Sequence, residues 1–357
     1  MKLLKTAAVI LLLLILLIGG LIVKTFYDAG EFKEINPHFN GRHKVISGVL
    51  SSEDITIDPK SGMAFISSDD RRVRSRGGKS RQGAIYGLDL NFDFNTGEPK
   101  LRNLTEDFKM EFNPHGIGLW TRQDGRLSLF VVNHSRTGHS VEIFDYRGKK
   151  LEHRNRIQGD LMHSPNDVIP VGPKAFYVTN DHGSTTKIGR TVEDYLQLDN
   201  SFVLYYDGSH FHKVASGLGY ANGINISRDG KMIYVTTTVG QKLHVYHREL
   251  KTGDLTPRHS IDLGTGADNI ELDEKGQIWI GAHPKLLTFI KHSKNPKVLA
   301  PSQVLRVSIE ESDQYRIEEI YLSEGEPLSA SSVAAPFKDI LLIGSVLDPR
   351  FLLCKLR

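Results

Sequence analysis

The sequence predicts an all-β fold, a six-bladed β-propeller behind an N-terminal transmembrane helix. Two observations carry the propeller. Six times the chain shows a short apolar run, a turn region and a second such run, and the starts recur about 45–65 residues apart, the spacing of propeller blades. Long amphipathic helical stretches do not alternate with these runs, which argues against a parallel α/β sheet. A third observation carries the helix. Ala7 to Val23 is an unbroken run of 17 apolar or small residues between Lys5 and Lys24. Residues 1–30 are accordingly read as an anchor and linker, and 31–357 as the propeller.

At about 1.5 Å per residue the apolar run just reaches across a bilayer. It exceeds the usual core of a signal peptide, and no small-x-small cleavage site precedes Lys24. The reading is an uncleaved single-pass signal anchor with an extracytoplasmic propeller; a cleaved signal peptide, giving a secreted domain, is the alternative. Lys2 and Lys5 nearly balance Lys24 and Lys33, so charge does not fix the sidedness.

The paired runs begin near Met63 (MAFISSDD, AIYGLDL), Leu127 (LSLFVVN, VEIFDY), Ala175 (AFYVTND, FVLYYDG), Met232 (MIYVTTT, LHVYHRE), Ile278 (IWIGAHP, LLTFIKH) and Ile340 (ILLIGSV, FLLCKL). Each is short, rich in β-branched and aromatic residues, and bounded by Gly, Asp, Asn or Pro. Val192 to Leu198 reads as a short helix inserted between strands. An eight-stranded barrel with a second domain is the architectural alternative.

Composition removes other classes. Lys and Arg number 45 against 42 Asp and Glu, a formal charge of +3 with no basic reading motif, so nucleic acid is not an expected partner. Cys354 is the single cysteine, which excludes an intramolecular disulfide and a cysteine-rich zinc site.

Polar landmarks recur through the repeats: Glu53-Asp54, Asn113-Pro114-His115-Gly116-Ile117, Asn133-His134, Asn166-Asp167, Ala221-Asn222-Gly223 and Asp268-Asn269. Such oxygen-rich side chains suit calcium, which takes about 6–8 oxygen ligands, better than zinc. No EF-hand loop is present, so a calcium site must be assembled from separate segments. Neighbouring side chains on an extended strand point to opposite sides. Glu53 and Asn166 can then face one ion while Asp54 and Asp167 face another.

In order, SSEDITI, FNPHGI, VVNH, SPNDV, TNDHG, ANGINIS, DNI and GAHP resemble the paraoxonase/arylesterase/lactonase family over essentially the whole chain after the anchor. The resemblance implies a propeller with two calcium ions (Ca2+). The catalytic ion is expected on Glu53, Asn166, Asn222, Asp268 and Asn269, and the structural ion on Asp54, Asp167 and the Ile117 carbonyl. The implied activity is calcium-dependent opening of lactones and cleavage of aryl esters, with His115 and His134 activating water. A calcium-bound carboxylate, here Asp268, is the rival base or nucleophile. Asp181-His182 and His283 also match, as lining or supporting groups. A non-enzymatic calcium-stabilised scaffold, or a related propeller acting on sugar lactones or phosphotriesters, is the alternative function.

The chain departs from the family in three places. Animal members close the propeller with a disulfide; Cys354 matches one partner and Arg42 stands at the other, so closure is expected to rest on strand pairing. Ala282 replaces the family's free cysteine. The segment 183–201, which forms a lipoprotein-associated helix in serum members, is less aromatic here and carries Lys187, Arg190, Glu193 and Asp194. Finally, Arg71, Arg72, Arg74, Arg76, Lys79 and Arg81 crowd one stretch. A solvated loop is the plain expectation; a loop that overhangs the site and attracts anions is the sharper one.

Overall fold

A computed structural model describes residues 2–310 and 312–357. Six antiparallel sheets make up the body, five of four strands and one of five. Their innermost strands are Ser52–Ile57, Pro114–Thr121, Pro165–Pro170, Ala221–Ile226, Gly266–Leu272 and Ser331–Phe337. The architecture is the expected six-bladed propeller, not the barrel. Blades meet through six apolar clusters, one at each junction. Phe65 and Ile85 of the first blade, for example, pack on Phe112, Leu129 and Phe144 of the second. Ile55 and Ile66 close the ring against Val333, Leu342 and Phe351 of the sixth.

Beyond this packing, strand pairing rather than a disulfide closes the ring. Gly41–Ser47 joins the last blade as its outer strand, in register with Arg350–Leu356 over its full length. His43, rather than Arg42, faces Cys354 across this ladder. Cys354 is fully buried, and burial lifts its thiol far above the usual range.

Five of the six expected hairpins are found. The exception is LLTFIKH, which forms helix α4 (Leu286–Lys294) instead of a strand. Its apolar residues fall at 286, 287, 289 and 290, a helical stripe, and the basic Lys291, His292 and Lys294 occupy its last turn, where they complement the helix dipole. The true partner of Ile278–His283 is Ser302–Ile309.

Three further helices lie at the same end of the channel. α1 (Lys2–Asp28) is an exposed apolar helix, long enough to cross a membrane. α2 (Arg71–Ser75) occupies the start of the basic stretch. α3 (Lys187–Leu196) is longer than the helix expected at Val192–Leu198; Thr186 caps it by accepting a hydrogen bond from Gly189 N at 3.1 Å. The segment that follows α1 is tied to the propeller: Leu286 N donates to Ala29 O at 2.9 Å, and Thr288 Oγ1 donates to Glu31 at 2.7 Å.

One half-buried histidine away from the channel bears on the pH dependence of the fold. His244 lies between Ser260 Oγ (2.9 Å) and Thr237 Oγ1 (3.4 Å), and burial, helped by Lys242, lowers its pKa to about 4. With the folded value below the unfolded value of about 6.5, its contribution is present above pH 6.5 and is lost as pH falls toward 4. His244→Gln should therefore lose about 2–3 kcal/mol less stability than the parent between pH 7.5 and 4.5. Urea unfolding of the detergent-solubilised chain at the two pH values measures it; equal losses would show that His244 does not contribute to this dependence.

Candidate metal centre and active site

Each innermost strand breaks its ladder at the same step. Pairing skips from Ser52 to Ile55, Pro114 to Ile117, Pro165 to Val168, Ala221 to Ile224, Ala267 to Ile270, and Ser331 to Ala334. In each case the inner strand spends one residue more than its neighbour, a β-bulge, which frees the intervening residues from the ladder. Those residues are Glu53-Asp54, His115-Gly116, Asn166-Asp167, Asn222-Gly223, Asp268-Asn269 and Ser332-Val333. Apart from Asn113 and the Asn133-His134 pair on the neighbouring strand, the polar landmarks of the sequence fall at these bulges.

The close strand approach explains two motif glycines. A Cβ on Gly116 would lie 2.4 Å from Asp167 Cα, and one on Gly223 would lie 2.6 Å from Asp268 O and 2.7 Å from Asn269 Cα.

Glu53, Asn166, Asn222 and Asp268 line one cavity of about 220 Å³, together with Arg71, His115, Tyr220 and His283. Asn269 reaches the same group, donating from Nδ2 to Glu53 Oε1 at 3.1 Å. The other two amides are also oriented by their nitrogens: Asn166 Nδ2 donates to Asp181 at 3.4 Å, and Asn222 Nδ2 to Thr238 Oγ1 at 2.9 Å. That leaves Oδ1 of Asn166, Asn222 and Asn269, and Oε2 of Glu53, buried without a hydrogen-bond donor. Four orphaned oxygens from four blades are costly unless something positive meets them. Among the described residues no cluster of three or more His, Cys, Asp or Glu forms a metal site. Amide oxygens make up most of the set here, a donor composition that fits a hard oxygen-seeking cation such as calcium.

Imidazoles flank this set. His115 Nε2 lies 3.2 Å from Glu53 Oε1, His115 Nδ1 lies 2.7 Å from His134 Nε2, and His134 Nδ1 lies 2.9 Å from His139 Nδ1. Burial would raise the Glu53 pKa, but the charges of His115 and Arg71 and hydrogen bonds from His115 and Asn269 hold it at about 2. Burial, then repulsion from His115, pushes His134 well below the usual range, so it is neutral at neutral pH. His139 is lowered too, again first by burial. On the far side of the cavity His283 Nε2 sits 2.9 Å from Asp268 Oδ2, and Phe289 of α4 stacks on its ring at 4.2 Å. Burial raises the Asp268 pKa despite this contact.

Asp54, Asp167 and Ile117 face away, into a separate opening of about 660 Å³ at the other end of the channel. The alternation expected of adjacent side chains is observed. The second oxygen set differs in kind from the first, because its carboxylates already accept backbone N–H groups. Asp54 accepts from Ile55 N (2.8 Å) and Ile117 N (2.7 Å), and Asp167 from Val168 N (2.7 Å) and Ile224 N (2.8 Å). Both pKa values are nevertheless raised well above normal, first by burial; for Asp54 the charge of Asp167 comes next.

Residues 34–356 match the Arylesterase family model. The chain belongs to the arylesterase family. Among this family's curated members it is 36% identical to the Serum paraoxonase/arylesterase 1 of Homo sapiens over 333 residues, covering 91% of each chain. It is 34% identical to the Serum paraoxonase/lactonase 3 of Homo sapiens, covering 85% of this chain and 86% of that one. A calcium-binding protein, regucalcin, from Agrobacterium tumefaciens shares the fold at TM-score 0.51 and 17% identity, covering 89% of this chain and 96% of that one. As an arylesterase-family member the chain is a hydrolase of ester or lactone bonds.

Three residues of this site did not stand out in sequence. Arg71 was one of six basic side chains, His139 carried no motif, and Tyr220 sat before the Ala-Asn-Gly signal. His283, expected through GAHP as a lining or supporting group, does line the cavity.

The packing at Gly223 gives a direct test of the bulge. Gly223→Ala should destabilise the fold by about 1–3 kcal/mol, because the new methyl group must displace backbone rather than a flexible side chain. Urea denaturation reads the loss; an unchanged midpoint would contradict the close approach.

Proposed function

We propose that this chain is a calcium-dependent hydrolase that opens lactones and cleaves aryl esters, held to a membrane by α1 with its propeller outside the cytoplasm. The observation that carries the reading is the group of four orphaned buried oxygens beside a line of hydrogen-bonded imidazoles. Glu53, Asn166, Asn222, Asp268 and Asn269 would hold the catalytic calcium. Asp54, Asp167 and the Ile117 carbonyl would hold a second, structural ion, which would relieve the repulsion between two buried carboxylates. When bound, calcium supplies Lewis acidity toward the acyl oxygen and stabilises the oxyanion.

The chain's own groups handle the proton. On this reading Glu53 turns to the ion and frees His115 Nε2, which takes the proton from the attacking water while Nδ1 gives its own to His134 Nε2, 2.7 Å away. Because His134 is neutral, it can accept there and release from Nδ1 toward His139, 2.9 Å further out. Thus His115 is the base, and His134 with His139 carry the proton toward solvent. Apolar Leu286, Phe289 and Ile290 of α4 and Val346 wall the cavity and would bind the organic part of the substrate.

Asp268 supports a second reading as base or nucleophile, because it faces the same cavity and burial raises its pKa. His115→Gln separates the two. Loss of about 10²–10⁴-fold in kcat with unchanged calcium affinity supports the imidazole base. Near-normal kcat would hand the role to Asp268.

Chelation should abolish hydrolysis of phenyl acetate and of a lactone panel, and added calcium should restore it. His283→Asn, which removes the partner of a proposed ligand, should weaken calcium binding about 10–100-fold in calorimetric titration. Calcium binding with no turnover of any substrate would favour the non-enzymatic scaffold instead.

A further inference from the structure

The basic stretch 71–81 divides sharply once folded. Arg72 is consumed by α4: Nη1 donates to His292 O at 2.7 Å, and Nη2 lies 2.7 Å from His292 Nε2. Arg74 donates from Nε to Asp69 at 2.8 Å, and Arg76 donates to Lys294 O at 2.9 Å. Lys79 and Arg81 are exposed. Arg71 alone turns inward. Its side chain is 13% exposed, and its Nε and Nη2 are buried with no hydrogen-bond acceptor.

Arg71 stands where two spaces meet. One is the apolar cavity walled by α4; the other is a basin of about 840 Å³ over the histidines, which Arg74, Lys79, Arg136 and Arg190 also line. His115 borders both. Glu111 and Asp181 also line the basin, but the acid in ion-pair range of the guanidinium is Glu53, with Oε2 3.4 Å from Nη2. That is an ion pair, yet it leaves the Arg71 donors and Glu53 Oε2 unsatisfied as hydrogen-bonding groups. On the calcium reading above, Glu53 is committed to the ion. With the carboxylates of Glu53 and Asp268 turned to the ion, the Arg71 guanidinium is left facing the same cavity and favours an anionic group on the ligand.

We propose that Arg71 recognises a carboxylate carried by the substrate, so that the enzyme prefers lactones or esters bearing a second, free carboxylate to their neutral counterparts. This rests on the hydrolase reading. A guanidinium presents a planar fork matched to a carboxylate, and such charge-assisted pairs are among the stronger hydrogen bonds. The apolar wall of α4 takes the body of the ligand while its carboxylate turns toward the basin. A role for Arg71 as mere counter-charge to Glu53 makes a different demand: its loss would then affect charged and neutral substrates alike.

The test pairs a five-membered lactone bearing a carboxylate with the carboxamide of the same lactone, and compares kcat/KM for the calcium-loaded full-length protein. The parent should favour the carboxylate. Arg71→Gln should cut the carboxylate-to-carboxamide ratio about 10–100-fold, with Arg71→Lys restoring part of it. Arg71→Met, which keeps the aliphatic stem, is the second neutral variant if the glutamine form does not fold. A ratio that stays within about twofold of the parent's, whatever happens to the absolute rates, overturns the inference. If the parent hydrolyses neither compound, the hydrolase reading fails separately. Calorimetry then decides for Arg71: tighter binding of the carboxylate, lost in the variant, upholds its role, and equal affinities refute it.

Discussion

The whole site depends on one backbone irregularity repeated six times. A regular ladder would bind every inner-strand amide to its neighbour and alternate the side chains strictly. The bulge near the start of each inner strand releases two residues per blade, and these include Glu53, His115, Asn166, Asn222 and Asp268, which line the cavity. Released backbone groups must find other partners inside the protein. They do so across blades: Ile117 N donates to Asp54, Ile224 N to Asp167, and the hydroxyls of Thr179 and Ser332 donate to the carbonyls of Asn222 and Glu53 at 2.6 Å each. The ring around the axis is therefore polar and cross-linked, while the apolar clusters lie between the blades farther out.

That arrangement explains why one end of the channel suits chemistry and the other suits structure. Toward the helices, three amide oxygens and one carboxylate oxygen converge without donors. At the opposite end, Asp54 and Asp167 spend each oxygen on an N–H group and so clamp the first blade to the second and the third to the fourth. Both ends bury carboxylates, with different counterweights. His115 and Arg71 hold Glu53 ionised, whereas Glu271, near the clamps, is lifted to about 8 by burial, which its hydrogen bond to Thr56 only partly offsets.

Much of this was legible in the sequence, and the unread parts share a cause. Paired apolar runs disclosed the blades because strand formation leaves a local two-residue signature, and Asn-Asp or Asn-Gly pairs marked the bulges because two adjacent residues leave the ladder together. LLTFIKH misled because a short apolar run fits a buried strand or a helix equally well; the preceding Pro284 and the basic last turn decide for the helix. Arg71 could not be told from Arg72 or Arg74, since what separates them is contact with α4 and Asp69, fixed only by the folded chain. His139 is a similar case, its meaning lying wholly in the 2.9 Å approach to His134.

The apolar helix α1 also contributes to the cavity. Thr25 and Ala29 at the end of α1 line the same cavity as Glu53 and His115, and α4, which walls that cavity, is hydrogen-bonded to Ala29 and Glu31. The direction in which the apolar helix leaves the body is therefore coupled to the position of the cavity wall. On the proposed reading, a bilayer that holds α1 lies on the side of the propeller that carries Glu53 and His115, beside the exposed Ile188, Tyr195 and Leu196 of α3. Substrate approach and membrane attachment then share one face, and the second channel opening, lined by the clamping carboxylates, is left to the opposite side.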